Sequence, residues 1–219
     1  KNLPEGMKMM VCPSSGVFEI SSETFLGFEG MGYLLYDNPE LVRAVFNKVG
    51  ELIYRFYENI VSLENVEGFF QGDDLGFKTS TILSPEILSE LVLPWHKRYA
   101  ELAHRNGKMY WFHSCGNLDA IMEDLIEDVK IDALHSFQDT IMPVTEFTER
   151  YGRRVAALGG VDVDKLCRLG EDELRGYVRG ILEKCMPGRY ALGSGNSIAN
   201  YVPVRNYLIM MDEGLNWSL

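Results

Sequence analysis

The chain has 219 residues, 46% of them hydrophobic and 24% charged, which is enough for one sizeable core, and we expect a single domain over residues 1–219. Its formal charge of −11 argues against a nucleic-acid partner, because a phosphate backbone calls for clustered Lys and Arg. No run of about 18 apolar residues occurs, so no membrane segment is expected, and the first residues lack the long apolar stretch of a signal peptide. The cysteines show no disulfide-framework spacing, so a reducing cytoplasm is the expected location.

Short apolar runs alternate with amphipathic segments along the chain. An apolar run at residues 9–13 precedes a helical pattern, and a long helix is predicted to begin at Pro39 with Asn38 as its cap. Apolar residues then recur every three or four positions, the period of one helix face. The residues with this spacing are Leu41, Val45, Val49, Leu52, Phe56 and Ile60.

Strand and helix patterns continue to alternate to the end of the chain. The run 66–74 predicts a buried strand, and the helix after it is predicted to start with Ser84 as cap and Pro85 first, to kink at Pro94 and to stop at Gly107. Four more strand–helix pairs follow. Their strands are predicted at 108–113, 131–137, 154–160 and 189–195, and their helices at 118–128, 142–152, 171–185 and 202–214. Apolar strands alternating with helices indicate a parallel α/β sheet.

Two α/β architectures fit this alternation, an open doubly wound sheet and a (β/α)8 TIM barrel. Polar residues follow the ends of different predicted strands, which is typical of the rim of a barrel active site. These residues are Asp73, Asp74, His113, Cys115, His135 and Asn196, with Gly159 and Gly160. No glycine-rich phosphate loop follows a strand, which counts against the doubly wound fold. Because six strands are two short of a closed barrel, the sequence predicts a partial barrel lacking the first two β/α units, either a fragment or an open form.

His113 and Cys115 carry the most specific chemistry in the sequence. Residues two apart on a strand point to the same side, so an imidazole nitrogen and a thiol can face one point. Zinc accepts both ligands, and a catalytic zinc keeps one position open. The alternative is a buried cysteine and a hydrogen-bonded histidine that merely end a strand.

The remaining polar residues at the strand ends are weaker candidates. Asp73 and Asp74 could bind a metal, hold a substrate cation, act as acid or base, or cap a turn, but adjacent residues point apart and a shared role is not expected. We predict Asp74 as the catalytic residue and Asp73 as a substrate-binding residue. His135 is a candidate metal ligand or a structural histidine.

Other residues are expected to be structural. His96 and His104 lie among basic residues in a predicted helix and are expected on its solvated face. Cys12, Cys167 and Cys185 are expected to be packing residues.

The order of several segments resembles the uroporphyrinogen decarboxylase (URO-D) superfamily. They are "YDNPELVRAV", "SPEILSELVLPWHKRYAELAHRNGKMYWFHSCGNL", "VAALGGVD" and "GRYALGSGNSIANYVPVRNYLIMM". The resemblance extends from about Val11 to Gly214 and implies a TIM barrel of URO-D type. It also implies that the early barrel strands, which carry part of the substrate site in the family, have no counterpart here.

The superfamily contains metal-free decarboxylases and methyltransferases that move a methyl group from a corrinoid protein to a thiol. The methyltransferases have a His-x-Cys zinc motif with a further Cys far downstream, and "HSCGN" resembles the first half of that motif. The resemblance therefore implies that His113 and Cys115 are zinc ligands. Asn196 stands where the third ligand would fall, so Asp74 or His135 would complete the site, unless another ion binds or the metal has been lost.

The resemblance implies an enzyme, a corrinoid-linked methyltransferase in which zinc activates a thiol or a similar small-molecule acceptor. A corrinoid protein would dock over the rim as the partner, and Asn117 and Asn196 would contact substrate. The alternatives are a metal-free decarboxylase and a non-catalytic barrel remnant that serves as a binding module. In the decarboxylases the position of Asn196 usually carries His, which counts against that reading. An oligomer or an N-terminal segment would be needed to complete the barrel.

Overall fold

Parallel strands followed by helices build both of the units into which the chain divides. The structure is a computed structural model that describes residues 3–218. One unit comprises the chain up to Ser114 together with Leu118–Asp132, and the other comprises Cys115–Asn117 together with the chain from Ala133 onward. The prediction of a single domain stays a prediction.

The first unit contains three parallel strands, with β2 between β1 and β3. The strands are β1 (Met9–Val11), β2 (Val66–Gly72) and β3 (Met109–His113). The helices are α1 (Val17–Glu19), α2 (Phe28–Asp37), α3 (Pro39–Ile60), α4 (Pro85–Leu91) and α5 (Leu93–Arg105). The segments Ile20–Leu26 and Asp124–Val129 are π-helical, and Asp119–Ile121 is a 3₁₀ turn.

The core of the first unit forms where α3 and α5 pack on the strands. The ring of Tyr57 stacks on that of Phe69 with centroids 3.9 Å apart. The helices approach closely at Gly50, where an added Cβ would lie 2.1 Å from the Trp95 ring. The first contact holds α3 on β2, and the second holds α5 against α3.

The two predicted helix starts are confirmed. The side chain of Asn38 accepts a hydrogen bond from the backbone N–H of Leu41, and that of Ser84 accepts one from Ile87. The break predicted at Pro94 occurs at Val92, which separates α4 from α5.

The buried face of α3 differs for most of its length from the apolar face that the spacing indicates. Leu41, Leu52 and Phe56 are exposed, whereas the buried apolar residues lie on an adjacent face. The buried apolar residues of the helix are Val42, Phe46, Val49, Ile53 and Tyr57. Val49 belongs to both sets. The helix carries two apolar stripes, and contacts with α5 and β2 decide which one is covered.

The second unit also contains three parallel strands, with β5 between β4 and β6. The strands are β4 (Ala133–His135), β5 (Ala156–Leu158) and β6 (Tyr190–Ala191). The helices are α6 (Val144–Tyr151), α7 (Val163–Arg168), α8 (Glu171–Cys185) and α9 (Val204–Leu215). Helix α7 is additional to the predicted elements, and its cap is Asp162, whose side chain accepts from the Lys165 N–H.

Ion pairs join the last two helices of the second unit. Glu213 of α9 is buried and accepts hydrogen bonds from Arg175 and Arg179 of α8. These bonds hold the pKa of the Glu213 carboxyl below its ordinary value. The outer face of α9 is apolar and exposed at Val204, Leu208 and Leu215.

In residues 3–218, no helix has the length and apolar character needed to cross a membrane.

Candidate functional site

The end of β2 sends two adjacent carboxylates in different directions. Asp73 is completely buried, whereas the side chain of Asp74 is 38% exposed. Neighbouring side chains on an extended chain point to opposite sides, as expected. The two residues therefore have separate environments.

Asp73 ties the start of α1 to the sheet. Its carboxylate accepts the backbone N–H groups of Phe18 at 3.0 Å and Glu19 at 2.9 Å. His96 Nε2 lies 2.9 Å from Asp73 Oδ2, and His96 Nδ1 lies 2.8 Å from the hydroxyl of Tyr110. Both oxygens of Asp73 therefore have buried partners, as a structural carboxylate does, and its predicted substrate contact stays a prediction.

His96 corrects an expectation from the sequence. The ring is completely buried against Asp73, so its assignment to a solvated helix face is wrong. His104, on the same helix, is exposed as expected and lies 2.9 Å from Asp132. The basic neighbours in the sequence predicted solvent exposure for both histidines. The face of α5 that carries His96 instead packs against the core.

Glu19 is a polar residue at this rim that the sequence did not single out. It is half-buried at the end of α1, and its carboxylate lies 3.4 Å from the Gly16 nitrogen. Burial, together with the negative charges of Asp73 and Asp74, raises the pKa of its carboxyl to about 7. Only the fold could reveal this, because the acids lie more than fifty residues away in the sequence.

His113 ends β3 beside Asp74. Its Nε2 lies 3.6 Å from Asp74 Oδ1, and its side chain is 21% exposed. Burial lowers the pKa of the imidazole, while the Asp74 carboxylate acts in the opposite direction. A lowered pKa favours the neutral ring, which is the form that binds metal.

Cys115 follows His113 by two residues and has polar neighbours of its own. The Asn196 side-chain amide lies 3.2 Å from the Cys115 sulfur, and the Ser136 hydroxyl lies 3.6 Å from it. Both groups donate towards the sulfur. Asn196 was predicted as a substrate contact, which stays a prediction, and the sequence did not single out Ser136.

Asp74, His113 and Cys115 are the group of described side chains that can share one metal ion. One ligand atom from each lies within 4.8 Å of the others. The set offers a carboxylate oxygen, an imidazole nitrogen and a thiolate sulfur, all of which zinc accepts. The donor chemistry therefore fits zinc with three protein ligands.

The other predicted site residues have different surroundings. His135 is half-buried, and its Nε2 lies 3.2 Å from the backbone oxygen of Ser194. Asn117 is half-buried two residues after Cys115. Of the two candidates for the third ligand, the geometry favours Asp74 over His135.

Comparison with known proteins places these residues in a family. The family model for uroporphyrinogen decarboxylase (URO-D) matches residues 21–216. The chain belongs to the URO-D family. The (β/α)8 barrel of the URO-D family accounts for parallel strands that are followed by helices. The described residues contain six strands.

Solved structures support the same fold. A methyltransferase from Methanosarcina mazei superposes with a TM-score of 0.71 at 16% sequence identity, over 91% of this chain and 56% of that one. This URO-D chain thus spans little more than half the length of that methyltransferase. No functionally curated protein matches the sequence significantly.

Proposed function

We propose that this URO-D family chain is an enzyme, a corrinoid-linked methyltransferase that uses a zinc ion to activate a thiol acceptor. The observation that carries the proposal is the group formed by Asp74, His113 and Cys115. A His-x-Cys pair is the half of the methyltransferase motif that distinguishes it from the metal-free decarboxylases. The structural likeness to a methyltransferase supports the fold on which this chemistry would rest.

Each residue of the group has a defined task. His113 offers the neutral ring that its burial favours, Cys115 offers the sulfur, and Asp74 offers a carboxylate oxygen. Zinc, when bound there, would keep an acceptor thiol deprotonated at neutral pH. Asn196 and Ser136 orient the Cys115 sulfur through their hydrogen bonds, as outer residues of metal sites do.

The methyl donor in this proposal is a corrinoid on a separate protein, and the acceptor is a small molecule. A decarboxylase acting on a porphyrinogen needs cationic side chains for the substrate carboxylates. Asp73 and Asp74 at the end of β2, with Glu19 nearby, make this part of the rim acidic. The charge of these strand ends therefore favours methyl transfer over decarboxylation.

Metal content and methyl transfer test the proposal together. Reduced protein reconstituted with zinc and freed of excess metal should hold about one zinc per chain by mass spectrometry. Cys115→Ser and His113→Ala should lose it, while Cys167→Ser, which changes a thiol on α7, should keep it. Loss of the absorbance of methylcobalamin in the presence of a thiol should follow the zinc content.

If neither the wild type nor the variants held zinc, the metal site would be contradicted. The remaining functions would then be decarboxylation or a non-catalytic binding role. If the Cys115→Ser variant retained its zinc, other residues would have to hold the metal. Stoichiometric zinc without methyl transfer to any thiol would retain the site and reject the proposed reaction.

A further inference from the structure

The second unit contains a pocket next to Cys115. It has a volume of about 470 Å³ and is lined by the loops that follow β4, β5 and β6. Loops at the carboxyl ends of parallel strands are where ligands bind in α/β folds. Its walls are residues 137–140, 162–165 and 196–201, except 198 and 200.

Asn196 connects this pocket with the thiol. Its side chain lines the pocket and also lies 3.2 Å from the Cys115 sulfur. The Ser197 N–H donates to the Asn196 amide oxygen at 2.8 Å, which fixes the orientation of the amide. A molecule whose sulfur lies beside Cys115 can therefore extend past Asn196 into the pocket.

The ionisable side chains of the pocket are mostly acidic. Three carboxylates, Asp139, Asp162 and Asp164, and one ammonium group, that of Lys165, belong to the lining. Asp162 accepts the backbone N–H groups of Asp139 and Lys165, and Asp164 Oδ1 lies 2.7 Å from Arg168 Nε outside the lining. Lys165 Nζ is already 2.6 Å from Asp139 Oδ2, and the Tyr177 hydroxyl donates to the same oxygen at 2.9 Å. The lining therefore carries more carboxylates than cations, and its lysine is committed to a carboxylate.

Neutral polar groups complete the lining. Thr140 and Ser197 contribute hydroxyl groups, Gln138 contributes an amide, and Tyr201 contributes an aromatic ring that is 68% exposed. Hydroxyl and amide oxygens accept hydrogen bonds from an ammonium group, and an aromatic face attracts a cation. A sulfonate or carboxylate would face the aspartates without a cation of its own to bind.

We propose that this pocket selects a thiol acceptor carrying an ammonium group, a small aminothiol, over acceptors carrying a sulfonate or carboxylate. The inference rests on the proposed thiol methyl transfer for the role of the ligand, but the selection is a property of the pocket alone. The ammonium group lies among Thr140, Ser197 and the aspartates, and the thiol extends past Asn196.

Two thiols of similar length and opposite charge test the selection. On zinc-loaded protein, 2-aminoethanethiol should bind at least about tenfold more tightly than 2-mercaptoethanesulfonate, because like charges in a pocket repel. Ser197→Lys should weaken the binding of 2-aminoethanethiol by about tenfold or more and should strengthen the binding of the sulfonate. Ser218→Lys makes the same change at an exposed residue outside the pocket lining and should leave both affinities unaltered.

Analogues without a thiol separate this inference from the metal chemistry. Ethylammonium should bind to Cys115→Ser protein in ligand-observed NMR, ethanesulfonate should not, and Ser197→Lys in that background should abolish the signal. Equal or tighter sulfonate binding, an unchanged affinity in Ser197→Lys, or no ethylammonium signal would each overturn the pocket assignment. If ethylammonium bound but zinc binding or methyl transfer failed, only the proposed reaction would be rejected, and the pocket assignment would stand.

Discussion

His96 Nε2 and Asp73 Oδ2 lie 2.9 Å apart with both side chains completely buried. A buried polar pair is maintained when every remaining hydrogen-bonding position is satisfied. Here Tyr110 takes the other ring nitrogen, and the backbone of α1 takes the rest of the carboxylate. The pair therefore joins α1, α5 and two strands.

Removal of the Asp73 carboxylate should destabilise the protein strongly. Asp73→Ala leaves two backbone N–H groups and a histidine buried without their acceptor, and we expect a loss of about 3–5 kcal/mol in the free energy of unfolding. Urea denaturation followed by circular dichroism measures it. Asp128→Ala breaks an exposed pair with Lys97 and should cost about 0–1 kcal/mol. Similar losses in the two variants would contradict the structural role of Asp73.

Gly16 gives Asp73 the space it needs. A Cβ at Gly16 would lie 2.1 Å from Asp73 Cγ, whose hydrogen bonds prevent it from moving aside. Gly16→Ala should therefore lower the free energy of unfolding by about 1–3 kcal/mol. Gly30→Ala, in α2 with nothing within 4 Å of the added Cβ, should instead stabilise by about 0.4–1 kcal/mol. The unfolding temperatures of the two variants should shift in opposite directions. Shifts of the same sign would contradict the close contact between Gly16 and Asp73.

The raised pKa of Glu19 predicts a pH-dependent stability in the metal-free protein. The folded state holds this proton up to about pH 7, whereas the ordinary value is 4.5. The stabilisation is therefore fully present below pH 4.5 and is lost as the pH rises through 7. Glu19→Gln cannot ionise and should lose less stability than wild type between pH 5 and about pH 8 in urea titrations. Glu29→Gln, at an exposed residue of α2 that does not contribute to the raised pKa of Glu19, is the matched control and should follow wild type.

Asn196 offers a way to strengthen the metal site. Its amide lies 3.2 Å from the Cys115 sulfur, so Asn196→Cys places a second thiolate beside the first. Under reducing conditions we expect zinc affinity to rise by at least about tenfold in chelator competition. Ser197→Cys adds a thiol one residue further along and should change the affinity less. Unaltered affinity in Asn196→Cys would place the metal away from Cys115.

The sequence by itself determined the alternation of strands and helices, except for α7, and the positions of the polar residues at the strand ends. Hydrophobic period and helix caps are local, so Asn38 and Ser84 mark helix starts whatever the rest of the chain does. The spacing of His113 and Cys115 likewise needs only the geometry of a strand.

Tertiary structure decided which surfaces are covered and which partners meet. Two apolar stripes on α3 have the same period, and only packing against α5 and β2 selects the one containing Val42 and Phe46. His96 is buried because Asp73, over twenty residues away, supplies a carboxylate to its ring. The preference for Asp74 over His135 beside His113 has the same origin. Burial and long-range pairing depend on residues far apart in the chain, and a local pattern does not contain them.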